Sequence, residues 1–179
     1  GWVAAASSLA REVPDDAPHI ILLPEVAFDA ETFLVKVSET IERLGYCAVV
    51  VSEGVKDKEG EFLSERQVDH GYVQLGGAGE AVAELIARRL GFKYHLAIVD
   101  DLQRAGRHLA SRTDVEQAYA AGRAAVEYAV DGLSGVMPAV VRLSDQPYRW
   151  EMKPVSLQDI GNLERRVPVE FIGADGMDV

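Results

Sequence analysis

The sequence predicts an α/β domain in which a largely parallel sheet is layered between helices. Short apolar runs that end at a turn residue alternate with segments whose apolar residues recur at helical spacing. The runs "HIILLPE" (19–25) and "YCAVVVSEG" (46–54) are apolar without alternation, which is typical of strands buried on both faces of a sheet. Strands separated by helices pair mostly in parallel, because each helix carries the chain back to the start of the next strand.

The first half of the chain surrounds these strands with helix signals. The segment "WVAAASSLAREV" (2–13) is predicted to be helical. Asp29 is a suitable N-cap for a second helix, and Gly45 is a suitable residue to end it. The apolar face of that helix consists of Leu34, Val37, Ile41 and Leu44. Residues 54–78 are rich in glycine and charge, and we expect an irregular excursion outside the core.

The second half continues the alternation. A helix with apolar residues at helical spacing is predicted to end at Gly91, and "YHLAIVDD" (94–101) is predicted to be the third strand. Thr113 and Glu116 have the spacing of a capping box at the start of a long helix. The remaining predicted elements are strands within 135–145 and 148–157 and a short helix that begins at Ser156.

The composition limits the classes of partner. The formal net charge is −11 and the pI is near 4.8, which argues against binding to the phosphate backbone of nucleic acids. The apolar runs are shorter than the roughly 20 residues of a membrane-spanning helix, so no membrane partner is expected. Cys47 is the single cysteine and cannot form an internal disulfide. A reducing, cytoplasmic location fits these features.

Candidate ligand-binding residues follow the predicted strands, where loops of a parallel sheet meet helix N-termini. Glu25 follows the first strand, and Ser52 and Glu53 follow the second. Asp101 and Arg104 follow the third. A guanidinium can bind a phosphate with two parallel hydrogen bonds, and a carboxylate can accept from sugar hydroxyls. This mixture favours a sugar phosphate as the ligand.

Each of these residues also has a simpler interpretation. The arginines at 104, 107 and 112 could neutralise nearby acids on the surface. Glu25 could be an exposed residue or a cap for the helix that follows. The four histidines show no metal-ligand spacing with one another or with Cys47, so no metal site is predicted within this chain.

Three stretches resemble the phosphofructokinase family, in the family's order and across nearly the whole chain. "GWVAAASSLA" (1–10) resembles the continuation of the family's Met-Gly-Arg-x-x-Gly-Trp helix, and "LLPEVAF" (22–28) resembles its Pro-Glu turn. "VDDLQRAGRHLASRTDVEQAYAAGRAAVEYA" (99–129) resembles the Leu-Gln-Arg segment and the long helix that follows it. The last stretch lacks the His-Ile-Gln-Arg-Gly-Gly pattern of ATP-dependent members, and the resemblance is nearest to the pyrophosphate-dependent branch.

The resemblance implies roles for individual residues. Glu25 corresponds to a glutamate that binds fructose 6-phosphate, and Arg104 to the arginine that binds the sugar's phosphate. Leu102 and Gln103 lie on the same binding segment. Asp101 departs from the family pattern, and a negative charge beside a phosphate is unfavourable. The family's cross-subunit arginines would fall near 93–95, where Lys93 supplies the charge without the bidentate geometry.

The family's catalytic Thr-Gly-Asp and Gly-Gly-Asp motifs do not occur in the 179 residues. The resemblance therefore implies that residues 1–179 are the C-terminal, sugar-phosphate-binding portion of a longer enzyme. The donor-binding portion, with its Mg²⁺, would lie outside this chain, and we expect the chain alone to be inactive. No catalytic residue and no metal ligand are assigned within it.

The implied reaction is phosphoryl transfer from pyrophosphate to the 1-hydroxyl of fructose 6-phosphate, a step of glycolysis, in an enzyme that forms homo-oligomers. An ATP-dependent phosphofructokinase is the nearer alternative, because the residues that select the donor lie outside this chain. A non-catalytic module that binds a sugar phosphate is the second alternative.

Overall fold

The computed structural model describes residues 1–63, 65–68, 72–99 and 105–179. These residues form two compact units. The first unit comprises Gly1–Ile98 and Arg165–Val179, and the second comprises Val99–Glu164. The end of the chain thus returns to the unit in which the chain begins.

The first unit is built around a short parallel sheet. Its elements in chain order are α1 (Trp2–Ala6), a 3₁₀ turn (Ser7–Ala10), β1 (Ile20–Leu22), α2 (Ala30–Leu44), β2 (Val49–Val51), β3 (Glu65–Val68), β4 (Tyr72–Leu75), α3 (Ala78–Leu90) and a 3₁₀ turn (Val169–Phe171). Strands β1 and β2 pair in parallel, with Ile20 opposite Val49 and Leu22 opposite Val51. Strands β3 and β4 form an antiparallel hairpin. The parallel pair and its flanking helices agree with the predicted α/β class.

β1 is buried on both faces, as the apolar run predicted. On one face, Ile20 and Leu22 pack with Phe33 and Val37 of α2. On the other face, Ile21 and Leu23 pack with small and apolar residues of the chain's two ends, namely Ala4, Ala5 and Val167. The two faces of β1 therefore hold the two layers of the unit together.

α2 begins and ends where its capping residues predicted. The Asp29 carboxylate accepts hydrogen bonds from the N–H groups of Glu31 and Thr32, and Gly45 ends the helix with φ of 81°. The helix packs its apolar face on β1, so the two caps set the length of the helix that covers this strand.

Asp29 is expected to make stability depend on pH. The ion pair with Lys58, together with the two N–H groups, lowers the pKa of Asp29 to about 2 from its ordinary value of 3.8. A lowered folded-state pKa means that this stabilisation is complete above the ordinary value and is lost as the pH falls through the folded value. The urea midpoint of the native chain should therefore fall more steeply between about pH 4 and about pH 2 than that of Asp29→Asn. Parallel curves for the two proteins would contradict this role.

Four predictions in the first unit need correction. The helix predicted over 2–13 ends at Ala6, with a 3₁₀ turn to Ala10, and β2 is only half-buried although its apolar run predicted burial on both faces. Residues 91–99 form no helix or strand, although "YHLAIVDD" was predicted to be the third strand; Leu96 and Ile98 are exposed. In the part of the chain that the structure describes, this segment has no neighbouring strand to pair with, and an apolar run forms a strand only when one is available. The excursion at 54–78 is also more ordered than predicted, because it contains β3 and β4 and places Val55 in the core.

The second unit consists of a long helix and a hairpin. Its elements are a 3₁₀ turn (Arg107–Leu109), α4 (Arg112–Val130), β5 (Val136–Asp145), β6 (Tyr148–Ser156) and α5 (Leu157–Ile160). Strands β5 and β6 are antiparallel, with a register shift between Arg142 and Ser144. Both strands and α5 lie where the sequence predicted them.

The start of α4 differs from the prediction by two residues. Ser111, rather than Thr113, is the N-cap, and its hydroxyl accepts from the N–H of Asp114. The Asp114 carboxylate accepts in turn from the Ser111 hydroxyl, while Glu116 pairs with Arg112. The hydroxyl that satisfies the helix N-terminus therefore lies two residues before the predicted cap.

Candidate functional site

The carboxyl ends of β1 and β2 bring the two strand-end turns together. The N–H of Ser52, just after β2, donates to the carbonyl of Leu22 at 3.0 Å. Pro24 lies against Gly54, where an added Cβ would be 3.3 Å from the proline ring. Glu25 and Glu53 therefore follow neighbouring parallel strands at one edge of the sheet. This is the edge at which ligands gather in open parallel sheets.

The Glu25 carboxylate is hydrogen-bonded through one of its two oxygens. Its Oε1 accepts from the N–H of Val167 at 2.9 Å. Its Oε2 is buried and has no hydrogen-bond partner among the described residues. Gly1 lies so close that an added Cβ would be 2.4 Å from Oε1, so a side chain at this position would push the carboxylate aside. One oxygen of this predicted site residue thus lacks a hydrogen-bond donor among the described residues.

Glu53 is a second carboxylate at the same edge. Its side chain is exposed, and Oε2 accepts from the N–H of Ala78 at 3.3 Å at the start of α3. Ser52 beside it accepts from the Gly1 amine at 3.4 Å. The sequence placed Ser52 and Glu53 after a strand but did not assign them to the site. Glu53 is a candidate because its position after β2 matches that of Glu25 after the neighbouring strand.

Four of the five residues predicted to bind the substrate lie outside the described part of the chain. These are Asp101, Leu102, Gln103 and Arg104. Their roles stay predictions, as does the meeting of Arg104 with Glu25. Lys93, the predicted substitute for a cross-subunit arginine, is described and exposed. The simpler interpretation holds for Arg112, which is exposed and pairs with Glu116.

A cavity of about 140 Å³ lies beside the end of β1 and is mostly apolar. Its two carboxylates are already paired, Asp29 with Lys58 and Asp175 with Lys36. Burial alone would raise the pKa of Asp175, but the ion pair with Lys36 and the N–H of Met177 outweigh it, and the pKa is lowered. A space lined by apolar groups and ionised carboxylates does not suit a phosphate.

The chemistry of the described residues offers no metal centre. No group of three His, Cys, Asp or Glu side chains in residues 1–63, 65–68, 72–99 and 105–179 is placed to hold an ion. The described residues therefore do not fit Mg²⁺. Over the same residues, no helix is long and apolar enough to cross a membrane.

A family profile decides the assignment, because the phosphofructokinase profile matches residues 1–129. The chain belongs to the phosphofructokinase family. The predicted resemblance to this family is confirmed. The match includes the strand-end turns at Glu25 and Glu53 and the segment that carries Arg104.

Curated relatives give the branch of the phosphofructokinase family. The pyrophosphate–fructose 6-phosphate 1-phosphotransferase of Methylococcus capsulatus is 53% identical over 182 residues, covering 100% of this chain and 43% of that protein. The protein of the same name from Xanthomonas campestris is 47% identical over 182 residues, covering 100% of this chain and 44% of that protein. The predicted likeness to the pyrophosphate-dependent branch is thereby confirmed. This chain spans less than half the length of these relatives.

Solved structures support the same fold. The pyrophosphate-dependent phosphofructokinase from Marinobacter aquaeolei superposes with a TM-score of 0.79 at 41% identity, covering 100% of this chain and 42% of that one. The corresponding enzyme from Nitrosospira multiformis gives a TM-score of 0.75 at 43% identity, covering the same shares. The predicted phosphofructokinase-like α/β fold is confirmed.

Proposed function

We propose that this chain is the C-terminal, sugar-phosphate-binding portion of a pyrophosphate-dependent 6-phosphofructokinase. The complete enzyme would transfer a phosphoryl group from pyrophosphate to the 1-hydroxyl of fructose 6-phosphate. The observation that carries the proposal is the 53% identity, over the whole chain, to a relative named for this reaction. That relative is more than twice as long as the match, which agrees with a donor-binding portion outside this chain.

In this proposal the chain's own residues bind and orient the acceptor sugar. Arg104 binds the 6-phosphate through its guanidinium, and Leu102 and Gln103 line the same segment, with Asp101 beside them. Glu25 and Glu53 accept hydrogen bonds from sugar hydroxyls at the edge of β1 and β2. Phosphoryl transfer needs donor and acceptor oxygens in line, so holding the hexose at both ends orients its 1-hydroxyl.

The portion outside this chain supplies the remaining parts. It would bind pyrophosphate and Mg²⁺, and the metal ion would supply positive charge that offsets the charge of the phosphoryl group. We further propose a cytoplasmic homo-oligomer with no nucleic-acid or membrane partner. The acidic composition argues against a nucleic-acid partner, the single cysteine fits the cytoplasm, and the resemblance to the phosphofructokinase family supports the oligomer. The 179-residue chain alone is expected to bind the sugar phosphate but not to turn it over.

The test of the proposed reaction is an assay of the complete enzyme, the full-length polypeptide that contains this chain. With Mg²⁺, fructose 6-phosphate and pyrophosphate, it should form fructose 1,6-bisphosphate, and it should run in reverse when phosphate is supplied. The same assay with ATP in place of pyrophosphate should give little product. Activity with ATP and not with pyrophosphate would select the ATP-dependent alternative, and no activity with either donor would select a binding module.

Replacing either strand-end glutamate should weaken sugar binding. We expect Glu25→Gln and Glu53→Gln each to raise the KM for fructose 6-phosphate in the complete enzyme by about tenfold, because a hydrogen bond to a charged acceptor is lost. The KM for pyrophosphate should stay within about twofold. Glu42→Gln, an exposed residue of α2, is the matched control. An unchanged KM in either variant would remove that glutamate from the site.

A further inference from the structure

A short segment near the end of the chain lies across the start of α1. We call residues 165–171 the return segment. The indole N–H of Trp2 donates to the carbonyl of Arg165 at 2.8 Å. The Arg165 guanidinium lies over the Trp2 ring at 5.7 Å, and Phe171 meets that ring edge-on at 6.4 Å. Trp2 therefore contacts the return segment at both of its ends.

Val167, in the middle of the return segment, contacts the strand-end acid. Its side chain is 2% exposed and packs with Ala4, Ala5, Ile21 and Leu23. Its N–H donates to Oε1 of Glu25 at 2.9 Å, across 142 residues of sequence. The Trp2–Arg165 hydrogen bond fixes the backbone two residues before this donor, and the core fixes the side chain of the donor residue itself. The direction of the N–H is thus set by the packing of the segment.

The Glu25 carboxylate has little freedom between its neighbours. The N–H of Val167 donates to Oε1, and Gly1 lies close enough that an added Cβ would be 2.4 Å from the same oxygen. Oε2 is buried and has no partner within the described residues, and an unpaired buried acceptor is costly. A carboxylate fixed through one oxygen, with the other oxygen unpaired, is ready to accept from an incoming donor. Such preorganisation improves binding because less freedom is lost when the ligand arrives.

We propose that Trp2 is a positioning residue for sugar-phosphate binding, acting through the return segment and Glu25. This inference rests on the proposed function. The indole holds the Arg165 carbonyl, the Val167 N–H holds Oε1 of Glu25, and Oε2 is thereby presented to a hydroxyl of the sugar. Trp2 itself does not contact the ligand.

The test is Trp2→Phe in the complete enzyme, because phenylalanine keeps an aromatic ring against Arg165 and Phe171 but lacks the indole donor. The KM for fructose 6-phosphate should rise about fivefold, the loss expected for one neutral hydrogen bond. The kcat and the KM for pyrophosphate should stay within about twofold. Trp150→Phe on β6, in the second unit, is the matched control and should leave all three unchanged. Gly1→Ala, which places a methyl group against the same carboxylate, should also raise the KM for the sugar.

A double-mutant cycle decides whether Trp2 acts through Glu25. In a Glu25→Gln background, Trp2→Phe should raise the sugar KM no further, because the group it positions is already lost. Effects that multiply, an unchanged KM in Trp2→Phe, or an equal change in kcat and in the KM for pyrophosphate would each overturn the proposal. An unchanged KM in Glu25→Gln alone would instead remove Glu25 from the proposed site. An inactive parent enzyme would reject the proposed function itself, before any variant is compared.

Discussion

Arg104→Ala in the complete enzyme should raise the KM for fructose 6-phosphate on the order of a hundredfold. The resemblance to the phosphofructokinase family implies that this arginine binds the phosphate of the sugar. A guanidinium–phosphate pair is a charge-assisted contact with two hydrogen bonds. Saturating sugar should restore most of the rate, because the lost contact binds the substrate's phosphate away from the reacting hydroxyl. Steady-state kinetics with both substrates varied would measure this.

The matched control for Arg104 is Arg112→Ala. Arg112 is 90% exposed and pairs with Glu116 one turn along α4, so its loss should leave the sugar KM within about twofold. Arg104→Lys should fall between native and alanine, because lysine keeps the charge and loses the bidentate geometry. Equal KM values for native and Arg104→Ala enzymes would show that Arg104 does not bind the phosphate.

Phe33→Ala should destabilise the first unit by about 3–5 kcal/mol, the cost of deleting a fully buried aromatic ring. Phe33 has no exposed surface and contacts Phe28 with a ring-centroid distance of 5.3 Å. It packs against β1 from α2, so the cavity would open beside the strand that leads to Glu25. Since whole domains are stable by about 5–15 kcal/mol, the loss would leave a marginal protein.

Urea denaturation followed by circular dichroism would measure this loss, with Val35→Ala on the same helix as the control. Val35 is 57% exposed, and its replacement should change stability by less than about 0.5 kcal/mol. A loss below about 1 kcal/mol for Phe33→Ala would mean that the α2–β1 contact is not the core of the unit.

Local signals predicted the local structure well. The apolar run at 19–25 predicted a strand buried on both faces, and β1 is such a strand. Asp29 and Gly45 predicted the two ends of α2 correctly. These features depend on residues within a few positions of one another. At α4 the capping-box spacing predicted Thr113 as the N-cap, and this was wrong by two residues because Ser111 caps the helix.

Long-range contacts could not be predicted in this way. Residues 94–99 have an apolar composition that suits a strand, but composition does not supply a pairing partner. The return of the chain after residue 164 to the first unit has no local signal at all. The sequence predicted Glu25 at a strand end. It could not predict that the N–H of Val167 would donate to one of the Glu25 oxygens, because the two residues are 142 positions apart.

A crystal structure of the complete enzyme with fructose 6-phosphate bound would test sugar binding at the strand ends directly. One hexose phosphate should lie at the carboxyl edge of β1 and β2. Its phosphate should be within hydrogen-bond distance of the Arg104 guanidinium, and a sugar hydroxyl should donate to Glu25. A structure in which these two side chains lie too far apart to contact the same molecule would contradict this prediction.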